Sequence, residues 1–226
     1  MKRNILTDEI YKKLLEEIVK LEIMPGTKLS ENLISKKYGV SRAPIRKVIS
    51  KLESEDLLVV KPQIGTFVKP ILYKDIKNIC DIRILLEPYA TEKAAENIKS
   101  NEIDLLKKHY DRIINFKGNI EEKNNLLFEI DLLLHRTIWR LCGNDEIFII
   151  IESYRNKIDR ARLMTAKFAK RLEPSIEETF QIFEGLLSKK PKNASNAMYN
   201  HLFNFKKAIL YLIEEMVSKI NNESML

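Results

Sequence analysis

The sequence predicts a mainly α protein in two parts: three short helices closed by a β-hairpin, then an all-α bundle of six longer helices. Three observations predict it. Apolar residues recur at helical spacing in every segment after Tyr73, and strand texture is confined to Leu58–Val68. Positive charge is concentrated at the start: residues 1–72 hold 14 Lys/Arg against 9 Asp/Glu, while the rest hold 25 against 23. A basic module beside a nearly neutral one implies that the first meets a polyanion and the second has another task.

The elements follow in order. The first helix runs from Asp8 to about Glu22, with Leu14, Leu15, Ile18 and Leu21 at helical spacing, and Met24-Pro25-Gly26 stops it. A second begins after Ser30, a good N-cap, and ends at Gly39. Ser41 caps a third, Arg42 to about Ser54, with Pro44 tolerated in its first turn. Leu58-Val59-Val60-Lys61, a Pro62–Gly65 turn and Thr66-Phe67-Val68 make the hairpin. Helices are then expected at about 74–98, 101–116, 120–142, 145–169, 175–189 and 192–221, with breaks at Ser100-Asn101, Gly118-Asn119, Gly143-Asn144, Pro174 and Pro191. The domain boundary falls at 72/73, giving domains 1–72 and 73–226.

Two cysteines, Cys80 and Cys142, offer no disulfide framework and no CxxC spacing. The start of the chain lacks an apolar stretch that could be a signal peptide, and the longest apolar run, Ile147–Ile151, is far too short for a membrane span. A cytoplasmic protein with no membrane partner is expected.

Helix, tight turn, basic helix and hairpin are the layout of a winged helix-turn-helix. On the third helix Ile45, Val48, Ile49 and Leu52 form the stripe to be buried, while Arg42, Arg46 and Ser50 lie on another face with Lys47 and Lys51 beside them. Arginines near the start of a recognition helix can reach guanine O6/N7 in the major groove, and lysines can take phosphates. A basic amphipathic helix alone is usually a solvated face; the order of the elements around this one favours duplex DNA.

These residues carry a resemblance. Met24-Pro25-Gly26-Thr27-Lys28-Leu29-Ser30-Glu31, Gly39-Val40-Ser41-Arg42-Ala43-Pro44-Ile45-Arg46 and Gly65-Thr66-Phe67-Val68 resemble the GntR family of bacterial transcription regulators, nearly without gaps over residues 8–70. The resemblance implies that Arg42 and Arg46 make the main contacts to DNA, supported by Ser30 or Glu31, Ser41 and the wing around Gly65; Lys47 and Gln63 complete the expected surface. Asp56 stands where the family often has glycine, so a local backbone adjustment is expected there.

In the second part, Arg83-Ile84-Leu85-Leu86-Glu87-Pro88-Tyr89-Ala90, Asp131-Leu132-Leu133-Leu134-His135, Cys142-Gly143-Asn144 and Met198-Tyr199-Asn200-His201-Leu202 resemble the FadR-type ligand-sensing domain of the same family, in its shorter, six-helix VanR-like branch. Asp131 and His135 lie one turn apart on a helix that is apolar almost all round, and His201 sits on an apolar stripe, so all three need partners: each other, an arginine or a metal. Metal-binding members of the resembled family use one Asp and three His. The remaining histidine should fall in Glu178-Thr179-Phe180-Gln181-Ile182, where Thr179 replaces it. The resemblance therefore implies an incomplete set for a divalent transition metal, zinc or nickel, held weakly. Arg83, Arg160 and Arg162 are candidates to bind an anionic effector, or equally to pair with Glu87 or Asp159.

The function so predicted is a homodimeric transcription regulator on an operator of inverted-repeat half-sites, modulated by a small carboxylate effector. A ligand-independent repressor with a filled pocket is one alternative. A metal-dependent enzyme is another, opposed by the incomplete ligand set and the lack of any nucleophile–base pair.

Overall fold

The computed structural model describes residues 2–168 and 171–223. Two compact units form, Met1–Leu72 with Asn156–Leu163, and Tyr73–Arg155 with Met164–Leu226. The segment 156–163, expected in the second domain, thus clusters with the first.

The first unit contains α1 (Lys2–Val19), β1 (Lys28–Leu29), α2 (Glu31–Tyr38), α3 (Arg42–Ser54), β2 (Leu58–Lys61) and β3 (Gly65–Val68). The first helix starts before Asp8 and ends before Glu22, because Leu21 takes a left-handed φ of 58° that no helix can continue through. The Ser30 hydroxyl accepts from Leu33 N at 3.4 Å, and Gly39, at φ 64°, closes α2 in the left-handed conformation that glycine adopts without cost. The four predicted stripe residues of α3 are all buried; removing Ile45 and Leu52 from water stabilises the unit by roughly 1.5–3 kcal/mol each.

The sheet order is β1-β3-β2, all antiparallel, with Leu58 opposite Val68 and Lys61 opposite Gly65. Strand β1 is too short to show a period in the sequence and exists through its pairing of Lys28 with Phe67. The expected adjustment at Asp56 is a φ of 62°, the region where glycine would carry no strain. Its carboxylate is bound by Lys69 and Lys157, and Arg160 Nη2 donates to the Lys69 carbonyl at 2.8 Å.

The helical elements of the rest of the chain are α4 (Tyr73–Asn97), α5 (Ser100–Ile114), α6 (Ile120–Leu141), α7 (Asp145–Ser153), α8 (Arg155–Phe168), α9 (Leu172–Leu187) and α10 (Pro191–Glu223). The helix expected at 145–169 is two helices, so seven rather than six are present among the described residues. The break is at Tyr154, whose N–H turns back to Ile151 O at 3.0 Å, with neither glycine nor proline to announce it. Asn119 and Glu122 form a reciprocal capping box that starts α6. Helices α9 and α10 approach so closely that a Cβ on Gly185 would lie 2.5 Å from Ala194 Cα. Ile130, Leu134 and Ile138 of α6, with Phe183, Met198 and Ile209, are among the fully buried residues of this core.

Candidate functional site

On the first unit, Arg42, Arg46 and Lys47 of α3 are exposed, outside its buried stripe. Arg46 Nε is bound by Glu31 Oε2 at 3.0 Å, an exposed pair joining the start of α2 to the recognition helix. The bond uses Nε, and the terminal nitrogens are those that a bidentate guanine contact requires. Ser41 precedes α3 and its side chain makes no capping bond. At the wing tip Gln63 has φ 60° and Gly65 φ 136°; only glycine adopts the latter readily, and a Cβ there would stand 2.7 Å from Lys28 Cε. The ammonium of Lys51, an exposed residue, lies 3.6 Å from the centre of the Tyr11 ring, a cation–π contact inside the unit, and the Tyr11 hydroxyl donates to Glu55.

The second site is built in the helical unit. Helix α6 presents Asp131 and His135 one turn apart, α9 presents Thr179 and α10 presents His201; all four are buried. One ligand atom from each of Asp131, His135 and His201 lies within 4.8 Å of the others. His135 Nε2 is 3.7 Å from Asp131 Oδ2, and His201 Nε2 is 3.6 Å from Asp131 Oδ1. Thr179 Oγ1 is 3.4 Å from Asp131 Oδ1 and donates to Ser175 O at 2.7 Å. The structure therefore brings Asp131, His135 and His201 together, with Thr179 beside Asp131.

Each histidine is oriented from behind by a glutamate. His135 Nδ1 donates to Glu87 Oε2 at 2.6 Å, and His201 Nδ1 lies 3.2 Å from Glu178 Oε2. Burial favours the neutral form of His135, despite the opposing pull of Glu87 and Asp131. With its proton on Nδ1, Nε2 is a lone pair facing a carboxylate, and that buried atom has no hydrogen-bond partner. A lone pair facing a carboxylate in a buried site is a place that a cation fits. The donor set fits zinc or nickel: two imidazole nitrogens and one carboxylate oxygen, with both rings held at their far nitrogen.

The anion-binding role expected of three arginines meets competing partners. Arg83 is buried and its Nε is taken by Glu87, one turn further along α4. Burial alone would raise the Glu87 carboxyl; Arg83 and His135 outweigh it and hold it far below the usual carboxylate range. Arg160 and Arg162 belong to the segment that clusters with the first unit, where Arg160 binds the Lys69 carbonyl and Arg162 lies 3.7 Å from Asp159. Burial pulls the Arg160 guanidinium down to about 10. Glu87 is foreseen as an arginine partner, whereas its hold on His135, the role of Glu178 behind His201 and the part of Trp139, whose Nε1 donates to Glu87 at 3.0 Å, are not foreseen. The i, i+4 spacing of Arg83 with Glu87 and of His135 with Trp139 is a signal for two of these residues; no local spacing points to Glu178.

A basic winged helix followed by a helical unit with a convergent polar site is the layout of a DNA-binding regulator with a second, ligand-binding domain. The chain matches the bacterial regulatory proteins of the gntR family over residues 6–68 and the FCD domain over residues 78–204. It belongs to the GntR family of transcriptional regulators, with the FadR-like FCD domain as its second part. It is similar to the HTH-type transcriptional repressor RspR of Escherichia coli K12, 26% identical over 93% of this chain and 91% of the relative. The gluconate operon transcriptional repressor of Bacillus subtilis strain 168 is 29% identical over 72% of this chain and 65% of that protein. Among solved structures, E. coli McbR/YncC shares the fold with a TM-score of 0.72 at 20% identity, covering 91% of this chain and 97% of that one. The metal-free FCD domain of TM0439 has a TM-score of 0.52 at 22% identity, covering 64% and 97%. Among the described residues no helix is long and apolar enough to cross a membrane.

Proposed function

We propose that this regulator binds an inverted-repeat operator as a homodimer and that a small carboxylate effector acts through a divalent metal held by Asp131, His135 and His201. One observation carries the metal: His135 Nε2, buried without a hydrogen-bond partner, faces the Asp131 carboxylate from an imidazole fixed by Glu87. Zinc or nickel bound there would supply a positive centre with an exchangeable position, since three protein ligands leave room for one more. Thr179, a neutral hydroxyl already donating to a backbone carbonyl, weakens the site relative to a fourth imidazole and leaves that position to the effector. With Arg83, Arg160 and Arg162 engaged elsewhere, the metal is the anion-binding group of this proposal. A relative named for the gluconate operon, that of a sugar carboxylate, agrees with the effector class.

On the DNA side, Arg42 and Arg46 read base edges, with Glu31 steadying Arg46. Ser30, Ser41 and Lys47 meet phosphates, and Gln63 and Gly65 bring the wing to the backbone.

The test is zinc and nickel titration of the metal-stripped protein. Parent affinity should fall at least about tenfold in Asp131→Ala and rise in Thr179→His. A folded Thr179→His protein that binds metal no better than the parent refutes the site.

A further inference from the structure

We infer that the outer groove between α9 and α10 binds a small, neutral, polyhydroxylated molecule, a monosaccharide or an open-chain polyol. The two helices are consecutive and antiparallel, joined through Ser188–Lys190, and their backbones nearly touch where Gly185 meets Ala194. Along one side of that contact, with Gly185 and Ala197 as its floor, lies a cleft of about 370 Å³.

The walls are polar on both sides. Gln181 and Glu184 of α9, with Ser188 at its C-cap, recur at spacings of three and four, which places them on one face. Asn193, Asn196 and Asn200 repeat that spacing on α10. The Gly185–Ala194 contact sets the register, so Asn200 stands opposite Gln181, Asn196 opposite Glu184 and Asn193 opposite Ser188. One turn beyond Gln181 the same two faces bond to each other: Asn204 Nδ2 donates to Glu178 Oε1 at 2.8 Å. The next three rungs stay open. Among the described residues the four amides of those rungs, the Glu184 carboxylate and the Lys190 ammonium at the end of the cleft make no hydrogen bond or ion pair with other protein groups. The Ser188 hydroxyl alone is engaged, donating to the Glu184 carbonyl.

The lining selects the class of ligand. Each carboxamide presents both a donor and an acceptor, and so does each hydroxyl of a sugar, so a row of hydroxyls can be matched along both walls. No aromatic or large aliphatic side chain lines the cleft, which disfavours an apolar ligand. Glu184 and Lys190 carry opposite charges, so the lining as a whole is neutral and favours neither an anion nor a cation. The volume lies near the lower end of ligand sites, room for one sugar unit rather than an oligosaccharide. The groove is distinct from the metal site: Thr179 and His201 are buried on the inner side of the same helices, whereas the six wall residues are exposed.

The test is saturation-transfer NMR on the full chain with D-glucose, D-mannitol and myo-inositol, followed by calorimetric titration. At least one should bind with a dissociation constant of about 1 mM or tighter. Gln181→Leu and Asn196→Leu, at exposed positions and with helical circular dichroism unchanged, should each weaken that binding at least about tenfold, because ligand hydroxyls lose a partner. Asn101→Leu, an equally exposed change on α5, should leave it unaltered. Protein stripped of metal by a chelator should bind as well as untreated protein, which separates this groove from the metal site. Failure of all three compounds to reach that affinity overturns the proposal. Binding that survives both wall substitutions, or that vanishes with the metal, overturns it as well and leaves the metal proposal standing.

Discussion

Replacing Glu87 by glutamine keeps the shape of the side chain and removes its charge. Glu87 has no exposed surface and accepts from three groups: Arg83 Nε, His135 Nδ1 and Trp139 Nε1. A glutamine has one accepting oxygen, and its amide N–H groups would oppose at least one of those donors. The larger effect is on Arg83, only 3% exposed, which would be left buried without its counter-ion. Breaking a buried pair on one side costs about 3–5 kcal/mol, a large share of the 5–15 kcal/mol that typically holds a domain together. Urea unfolding should therefore show Glu87→Gln with a much lower midpoint at unchanged slope. Arg83→Met combined with Glu87→Leu, which removes both charges, should lose less than the two single changes together. A single-variant loss below about 1 kcal/mol would refute the claim that Glu87 neutralises a buried Arg83.

Three further outcomes are expected. Arg46→Ala should cost roughly 1–3 kcal/mol of affinity for DNA selected by the protein and relax preference at one base pair, whereas Lys51→Ala should lower unfolding stability through the lost Tyr11 contact more than it weakens DNA binding. Equal loss of DNA affinity from both changes would contradict the placement of Lys51. Burial pushes the Asp56 carboxyl up, but Lys157 and Lys69 outweigh it and hold it below its ordinary value. Its ion pairs thus stabilise fully above the ordinary carboxylate pKa and lose their contribution as pH falls through the folded value. Asp56→Asn, which tolerates the same backbone, should be less stable than the parent at pH 7 by under about 1 kcal/mol and indistinguishable from it at pH 2; a pH-independent gap would show that the charge is irrelevant. The Cys80 thiol is pushed up to about 11, chiefly by burial, so maleimide or disulfide reagents at pH 8 should label it slowly in the native protein and rapidly in denaturant. Peptide mapping that finds Cys80 labelled at the unfolded rate would contradict that burial.

Local signals in the chain determined the winged helix almost completely. Ser30 and Gly39 bound α2, the α3 stripe at Ile45, Val48, Ile49 and Leu52 is buried, and the hairpin falls at Leu58–Val68, because caps, helical period and turn residues act over a few positions. Asp131, His135, His201 and Thr179 are legible as one candidate set only through the family resemblance, because 70 residues separate the first from the third and no local signal joins them. What tertiary structure decided depends on contacts between distant segments. It broke the helix at Tyr154 without glycine or proline, drew residues 156–163 into the first unit, and created β1 through a pairing with β3. It also supplied partners that spacing does not identify: Arg83 pairs with the buried Glu87, Lys51 rests on Tyr11, and Glu178 stands behind His201. The physical reason is common to all of them. A buried charge or polar atom must find a partner wherever packing places one, and no local pattern encodes which distant side chain that will be.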